Sequence, residues 1–416
     1  MTRAATTERE EARADPRRPL AAAVVRLLVV YVGARVATGA LLALAWALSR
    51  PGAPLAALSM NDGRPGLGGF LSAWDGRWFE SIASGGYPTE LPRGDDGAVV
   101  KNEWAFLPLF PLLVRGLSWA TGGSFVVVGS AVAVVAGAVA TVLLYLLVRD
   151  RVGDREGRHA AVLFAVGPMS FLLQVPYAEA LSLALVFGAL LALSRGAWGW
   201  FALCGVLAAL TRPGALALAA ALVGMTLWTL WRARAARGDG ADRAHGRLVL
   251  TAGELARRGG AALAVALAGV AWPVVCAVVT GEADGYLETE SSWWRDYGVG
   301  HDGFVPFTPW FAFAAAWLGP WGVVVVALAV VGMLAGIVAG WRRVGSTIAL
   351  WTLAYAGFLV AVFLPQQSSF RLLMPLAPQL GHPALSATRA RRTATVVGAA
   401  ALTPVAVVLF WVVWPA

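Results

Sequence analysis

Apolar runs of about the length a helix needs to cross a bilayer recur along this chain, and no other feature constrains its fold as strongly. Examples run from Val24 to Leu48, Phe125 to Val148 and Ala394 to Trp414. In a chain of 416 residues, 58% hydrophobic and with a mean hydropathy of +0.68, this is more apolar surface than a water-soluble core could hide. The pattern predicts an all-α polytopic membrane protein. Counting the runs gives about 11 passages of the required length. They are 24–48, 105–119 merging into 124–148, 159–175, 179–194, 197–211, 213–231, 260–280, 307–340 as one long or broken passage, 346–364, 371–387 and 394–414. The first run is too long for a signal peptide and lacks a small-residue cleavage pattern.

The net charge of +9 invites a nucleic-acid reading, but the placement of the arginines opposes it. They flank the apolar runs on one side: five before Leu20, four from Arg149 to Arg158, Arg195, seven from Arg232 to Arg258, then Arg342, Arg343 and three from Arg389 to Arg392. By the positive-inside rule that side is cytoplasmic, and the N-terminus with it. No nucleic-acid partner is expected; the lipid bilayer is. Residues 1–20, charged and punctuated by Pro16 and Pro19, read as a disordered cytoplasmic tail, and 21–416 as a single transmembrane domain. The segment from Arg232 to Gly259 reads as a solvated inner connector that can also touch anionic lipid heads.

Two long segments, 50–104 and 281–306, fall on the outer side and carry 13 of the 24 acidic residues. Long loops in compact proteins are more often functional than idle. The first contains Trp74-Asp75-Gly76-Arg77-Trp78-Phe79, followed by Ile82-Ala83 and Gly85-Gly86-Tyr87. An aspartate between indoles at a membrane boundary sits where the dielectric falls, so its proton affinity is tunable, and Trp74, Trp78 and Tyr87 offer faces for a sugar ring. The other reading is an interfacial aromatic belt with a solvated acid between its rings.

Further along, Trp104-Ala105-Phe106-Leu107-Pro108-Leu109-Phe110-Pro111 is a proline-punctuated helix start. In Pro176-Tyr177-Ala178-Glu179 a carboxylate stands at the membrane boundary, where it is costly unless paired or wet; a helix N-terminal acid favoured by the dipole is the plainer reading. Thr211-Arg212-Pro213-Gly214 places an arginine among apolar residues, where it needs a phosphate or carboxylate partner or snorkels to the headgroups. Gln366-Gln367-Ser368-Ser369-Phe370-Arg371 is a polar turn whose donors suit a phosphate or sugar hydroxyls, with snorkelling again open for Arg371. Trp293-Trp294-Arg295-Asp296-Tyr297, with His301 and Asp302, can pack a sugar or rest a loop on the bilayer.

Cys204 and Cys276 both lie in apolar runs and read as small buried hydrophobes, with no disulfide or zinc framework. The four histidines are scattered. No cofactor is called for, although Asp95-Asp96 could hold a divalent metal. No inverted repeat of the kind many transporters carry is visible.

Taken together, Trp74-Asp75 with its Ile82-Ala83 and Gly86-Tyr87 tail, the Phe106 to Pro111 segment, Pro176 to Glu179, Thr211-Arg212-Pro213 and the Ser369 to Pro375 segment resemble the PIG-V-like mannosyltransferases of the GT-C glycosyltransferase fold. The resemblance covers most of the chain from Val24 to Pro378. It implies a plasma-membrane enzyme that transfers mannose from a polyprenyl-phosphate donor to a lipid or glycan acceptor at the outer face. It gives Asp75 the role of catalytic base. Arg371, with Arg212 in support, would neutralise the donor phosphate, and Trp74, Trp78, Tyr87, Tyr177, Glu179, Gln367 and Ser369 would contact substrate. A different lipid-phosphate sugar, such as arabinose or glucose, and a transporter or flippase are the alternatives. The last predicts polar residues near the bilayer midplane, and those are scarce.

Overall fold

Hydropathy this high, written mostly in Ala, Leu and Val, leaves the backbone only itself to hydrogen-bond with, so the chain forms helices wherever it meets lipid. The computed structural model describes residues 17–60, 66–238, 250–295 and 305–414. Among them no strand forms, and only an isolated bridge links Arg93 and Val99. The principal helices are α1 (Arg17–Ser49), α2 (Gly66–Leu71), α3 (Asp75–Gly85), α4 (Leu109–Thr121), α5 (Phe125–Arg151), α6 (Asp154–Val166), α7 (Glu179–Arg195), α8 (Trp198–Ala209), α9 (Ala215–Gly238) and α10 (Ala252–Thr280). They are followed by α11 (Gly285–Ser292), α12 (Pro309–Leu318), α13 (Pro320–Val344), α14 (Ser346–Val362), α15 (Ser369–Leu372), α16 (Pro383–Ser386) and α17 (Arg389–Val407).

Six helices among the described residues are long and apolar enough to cross a membrane: Leu20–Ser49, Phe125–Arg151, Ala215–Ala235, Ala252–Thr280, Pro320–Val344 and Arg389–Val413. Shorter apolar helices, Trp198–Ala209, Pro309–Leu318 and Ser346–Val362, accompany them, and several of the expected runs divide differently. The run 105–148 is two helices, because Ser124 caps α5 by accepting from the Val127 amide at 3.4 Å after the left-handed Gly122 has ended α4. The run 307–340 breaks at Gly319, φ +58°, into α12 and α13. The run 371–387 is no span at all. Pro375, Pro378 and Pro383 remove backbone donors, and the chain turns through α15, a 3₁₀ segment (Met374–Gly381) and α16. The expected tail 1–20 lies outside the described residues up to 16, and its last four residues already belong to α1.

The core is centred on α5, α7, α9 and α14, where Ala140, Leu144, Phe187, Leu190, Leu218 and Trp351 are fully buried. The two long segments 50–104 and 281–306 both contain helices: α2 and α3 in the first, α11 in the second. They are clamped together. Asn102 Nδ2 donates to Thr289 Oγ1 at 3.0 Å in a buried contact, Arg93 pairs with Glu282, and the Trp293 ring packs edge-on against Trp78 and Phe106 at 6.0 and 5.9 Å. One end of the helical bundle thus carries a fixed polar cap.

Candidate functional site

Asp75 opens α3 directly after Trp74, whose φ of +57° and ψ of −117° place a side-chain-bearing residue in a sparsely populated conformation. Such a residue costs on the order of 1–3 kcal/mol and persists only where its surroundings fix it. The Tyr177 hydroxyl accepts from the Asp75 amide at 3.1 Å and donates to the Ala73 carbonyl at 2.9 Å. The Trp74 indole donates to the Trp411 carbonyl at 3.3 Å. At Gly76 a Cβ would come within 3.3 Å of Tyr177 Cε1, so glycine lets the tyrosine ring seat against the turn. Burial, and then the charge of Asp75, push the Tyr177 hydroxyl well above 10, which keeps it a donor.

That fixed aspartate is one end of a chain of alternating charges. Arg371 Nη1 lies 2.5 Å from Asp75 Oδ2 and 3.4 Å from Glu179 Oε1, and Arg212 Nη1 lies 2.5 Å from the same Glu179 oxygen. The four side chains are 14%, 11%, 4% and 19% exposed in the order Asp75, Arg371, Glu179, Arg212, so the network is dry enough for each charge to need its partners. Burial works against the charge of Arg371, but Asp75 and Glu179 outweigh it and raise its pKa above that of a free guanidinium. Two polar atoms of the network, Arg371 Nε and Glu179 Oε2, are buried without a partner among the described residues.

Each member is placed by local chemistry. Glu179 is the first residue of α7, where the helix dipole favours a carboxylate. Arg212 sits in the turn between α8 and α9, closed by Gly214 at φ +125°; a Cβ there would lie 3.2 Å from Tyr355 Cε2. Arg371 is held from α14, because the Tyr355 hydroxyl donates to the Leu372 carbonyl at 2.9 Å and the Trp351 indole to the Pro375 carbonyl at 2.8 Å.

A cavity of about 120 Å³ opens onto this network, lined among others by Asp75, Arg212, Glu290, Trp293, Ser368 and Arg371. Glu290, on α11, is half-buried, and burial followed by the Asp75 charge pushes its carboxyl up to about 7, with Tyr286 and Arg212 opposing the shift. A smaller space of about 30 Å³ lies beside it, lined by Glu179, Arg212, Arg371 and Met374. Met374 also lines an apolar groove of about 570 Å³ between α17 and the 374–380 segment, which Phe370 borders.

Thus Asp75, Glu179, Arg212 and Arg371, singled out from sequence, come together. Other expected contacts do not reach the cavity. Tyr177 is fully buried and serves as the strut beneath Asp75. Tyr87 is wedged between Trp104 and Trp272 at 4.8 and 4.9 Å, its hydroxyl donating to the Phe106 carbonyl. Trp78 stacks on Phe106 at 5.9 Å, and Trp74 packs into the cluster around Trp411. Ser369 accepts from the Gln366 amide at 3.1 Å, so the turn presents Gln366 and Ser368 to the cavity in place of Ser369 and Gln367. Glu290 was only one of 13 outer acids in the sequence, and its position three residues before Trp293 is the one signal that could have marked it. Asp296, Tyr297, His301 and Asp302 lie outside the described residues. Asp96 Oδ1 accepts from the Ala98 amide at 3.0 Å in an exposed turn, and among the described residues no group of three or more His, Cys, Asp or Glu could hold a metal. Cys276 is buried and Cys204 half-buried, both as free thiols.

Residues 41–234 match the family model of the mannosyltransferases (PIG-V). That stretch contains Asp75, Glu179 and Arg212, while Glu290 and Arg371 lie beyond it. No curated protein matches the chain. Among solved structures it is similar to ArnT from Cupriavidus metallidurans bound to undecaprenyl phosphate, at 17% identity over 90% of this chain and 64% of that one, TM-score 0.46. It is also similar to the oligosaccharyltransferase AglB from Archaeoglobus fulgidus in complex with an inhibitory peptide and a dolichol-phosphate, at 14% identity over 92% and 55%, TM-score 0.45. A further similarity is to the Archaeoglobus fulgidus oligosaccharyltransferase complex with Zn and sulfate, at 15% identity over 79% and 47%, TM-score 0.42. The chain spans about half to two thirds of the length of these proteins.

Proposed function

We propose that this chain is an integral membrane glycosyltransferase that moves mannose from a polyprenyl-phosphate donor to a lipid or glycan hydroxyl at the outer face of the plasma membrane. The observation that carries the reading is the buried Asp75, Arg371, Glu179, Arg212 network, set beside an apolar groove in a chain whose first half matches a mannosyltransferase family. A lipid-linked donor needs both parts. Its isoprenoid tail fits the groove bordered by Phe370 and Met374, and its phosphate comes to the guanidinium of the next residue, Arg371.

In the resting network Arg371 is held by Asp75. An arriving phosphate competes for that guanidinium through the unpartnered Nε and draws its field from Asp75, leaving the carboxylate free to accept a proton. The acceptor hydroxyl then gives its proton to Asp75 while its oxygen bonds to the anomeric carbon. The bond from that carbon to the phosphate oxygen breaks, and the lipid phosphate leaves with its added negative charge stabilised by Arg371 and Arg212. The buried setting makes this stabilisation larger than it would be in water.

Transfer of label from radiolabelled polyprenyl-phosphate mannose by the purified protein in lipid, followed by identification of the product, tests the reading; no labelled product under any acceptor fraction would reject it. The face is tested separately. In a background with Cys204 and Cys276 replaced by alanine, a cysteine at Asp95 is expected to react with an impermeant thiol reagent added to intact cells, and one at Asp239 is not. The reverse pattern would invert the orientation.

A further inference from the structure

The proposed network accounts for the donor side of the cavity and leaves its opposite wall unused. That wall is α11, clamped to the first outer segment through Asn102 with Thr289 and through Trp293 with Trp78 and Phe106. It brings two groups of opposite hydrogen-bonding sense to the space that Asp75 and Arg371 share. Glu290 supplies carboxylate oxygens. Trp293 lines the same space, and its indole N–H is buried without a partner among the described residues. A buried donor left unsatisfied costs free energy comparable to a lost hydrogen bond, which a ligand supplying an acceptor there would recover. The Tyr286 hydroxyl hydrogen-bonds to the Glu290 carboxylate, and no ion pair to it forms among the described residues, unlike Asp75 and Glu179; a carboxylate has further lone pairs with which to accept from a ligand hydroxyl.

Resting on the mannosyltransferase reading, we propose that Glu290 and Trp293 form the acceptor clamp: the Glu290 carboxylate accepts a hydrogen bond from an acceptor hydroxyl, and the Trp293 indole N–H donates to a neighbouring oxygen of the same polyol. One acceptor beside one donor is the complement of adjacent sugar oxygens and of no purely apolar ligand. The arrangement divides the cavity, with cations toward the groove that receives the lipid and an acid with indoles on the outer helix that meets the acceptor.

The clamp makes acceptor binding pH-dependent. Among the described residues the charged and titratable groups acting on Glu290 are Tyr286 on its own helix, Arg212 from the turn before α9 and Asp75 from α3, with Arg371 on the same cavity. Burial and the Asp75 charge hold the carboxyl at about 7, so it loses its full accepting capacity as pH falls below that value.

The test uses the full-length protein in nanodiscs with octyl α-mannoside as the acceptor probe. Three quantities are read from pH 5.5 to 8.5: equilibrium binding of the probe without donor, its KM at saturating donor, and donor hydrolysis without probe. Glu290→Gln is expected to weaken probe binding and raise its KM about 10-fold or more at pH 8, as loss of a hydrogen bond to a charged group does. It should also flatten the pH dependence of probe binding. Trp293→Phe, which keeps a ring and removes the N–H, is expected to raise the probe KM several-fold, and Glu290→Asp to fall between wild type and Glu290→Gln. Unchanged probe binding and KM in both Glu290→Gln and Trp293→Phe would overturn the clamp. If wild type binds the probe and turns over no mannose donor, the donor assignment fails, and the binding measurements on the same variants still decide the clamp.

Discussion

Two of the arginine–carboxylate clusters among the described residues are alike in composition and unlike in setting. On the arginine-rich side Asp150 is shared by Arg149 and Arg195, each at 2.7 Å, with side chains 22–47% exposed, and Arg158 pairs with Asp154 at 2.5 Å in similar exposure. At the opposite pole Asp75, Arg371, Glu179 and Arg212 are linked by contacts of comparable length but are only 4–19% exposed. Water screens the first cluster, so each pair there is worth little beyond anchoring helix ends. The second cannot be screened, and removing one partner leaves a charge stranded. A protein gains little stability from burying such groups.

The sharpest way to break this comparison is at Asp75. Asp75→Asn is expected to cut transfer by about 100-fold to 10,000-fold, the usual worth of a general base, with membrane insertion intact. Near wild-type turnover would remove the base assignment. Next comes Arg371→Ala, expected to abolish most transfer and to cost about 3–5 kcal/mol of stability, because Asp75 loses its only ion pair among the described residues. Arg371→Lys keeps the charge without the planar fork and should retain part of the activity. Equal, near-normal kinetics for the two would mean that Arg371 holds the network and takes no part in transfer.

A smaller effect is expected from pH. The folded pKa of Glu290, about 7, lies above its ordinary 4.5, so the protonated form favours the folded state. Its contribution is complete below about 4.5 and is lost as pH rises through about 7. Thermal unfolding of wild type should therefore fall relative to Glu290→Gln between pH 5 and 8, and parallel curves would refute the burial of that carboxyl. The smallest effect belongs to the exposed cluster: Arg195→Ala should change stability by about 1 kcal/mol or less and leave transfer unchanged. A loss as large as that of Arg371→Ala would erase the distinction between the two poles.

How much of this was readable beforehand varied by element. The apolar runs placed the ends of α5, α7, α8 and α14 to within a few residues, because hydropathy and caps such as Ser124 are local properties. The same signal failed over 371–387, where composition is apolar but Pro375, Pro378 and Pro383 decide the backbone. Among site residues, Asp75, Glu179, Arg212 and Arg371 stood out because charge is conspicuous in an apolar context. Trp78, Tyr87 and Tyr177 pack against their neighbours and do not line the cavity, and an aromatic that packs looks like an aromatic that binds until its neighbours are known.

The sequence by itself determined that this chain lives in a membrane as helices, that arginines cluster beside the ends of its apolar runs, and that a few charged residues would need partners. All of these follow from transfer free energies summed over neighbours along the chain. Which charge meets which was decided only by the tertiary structure. Asp75 and Arg371 are 296 positions apart, and Glu179, Arg212 and Glu290 arrive from three other elements. Their contacts exist because helix packing closes distances that no local pattern encodes, and the low dielectric that gives those contacts their strength is itself a product of that packing.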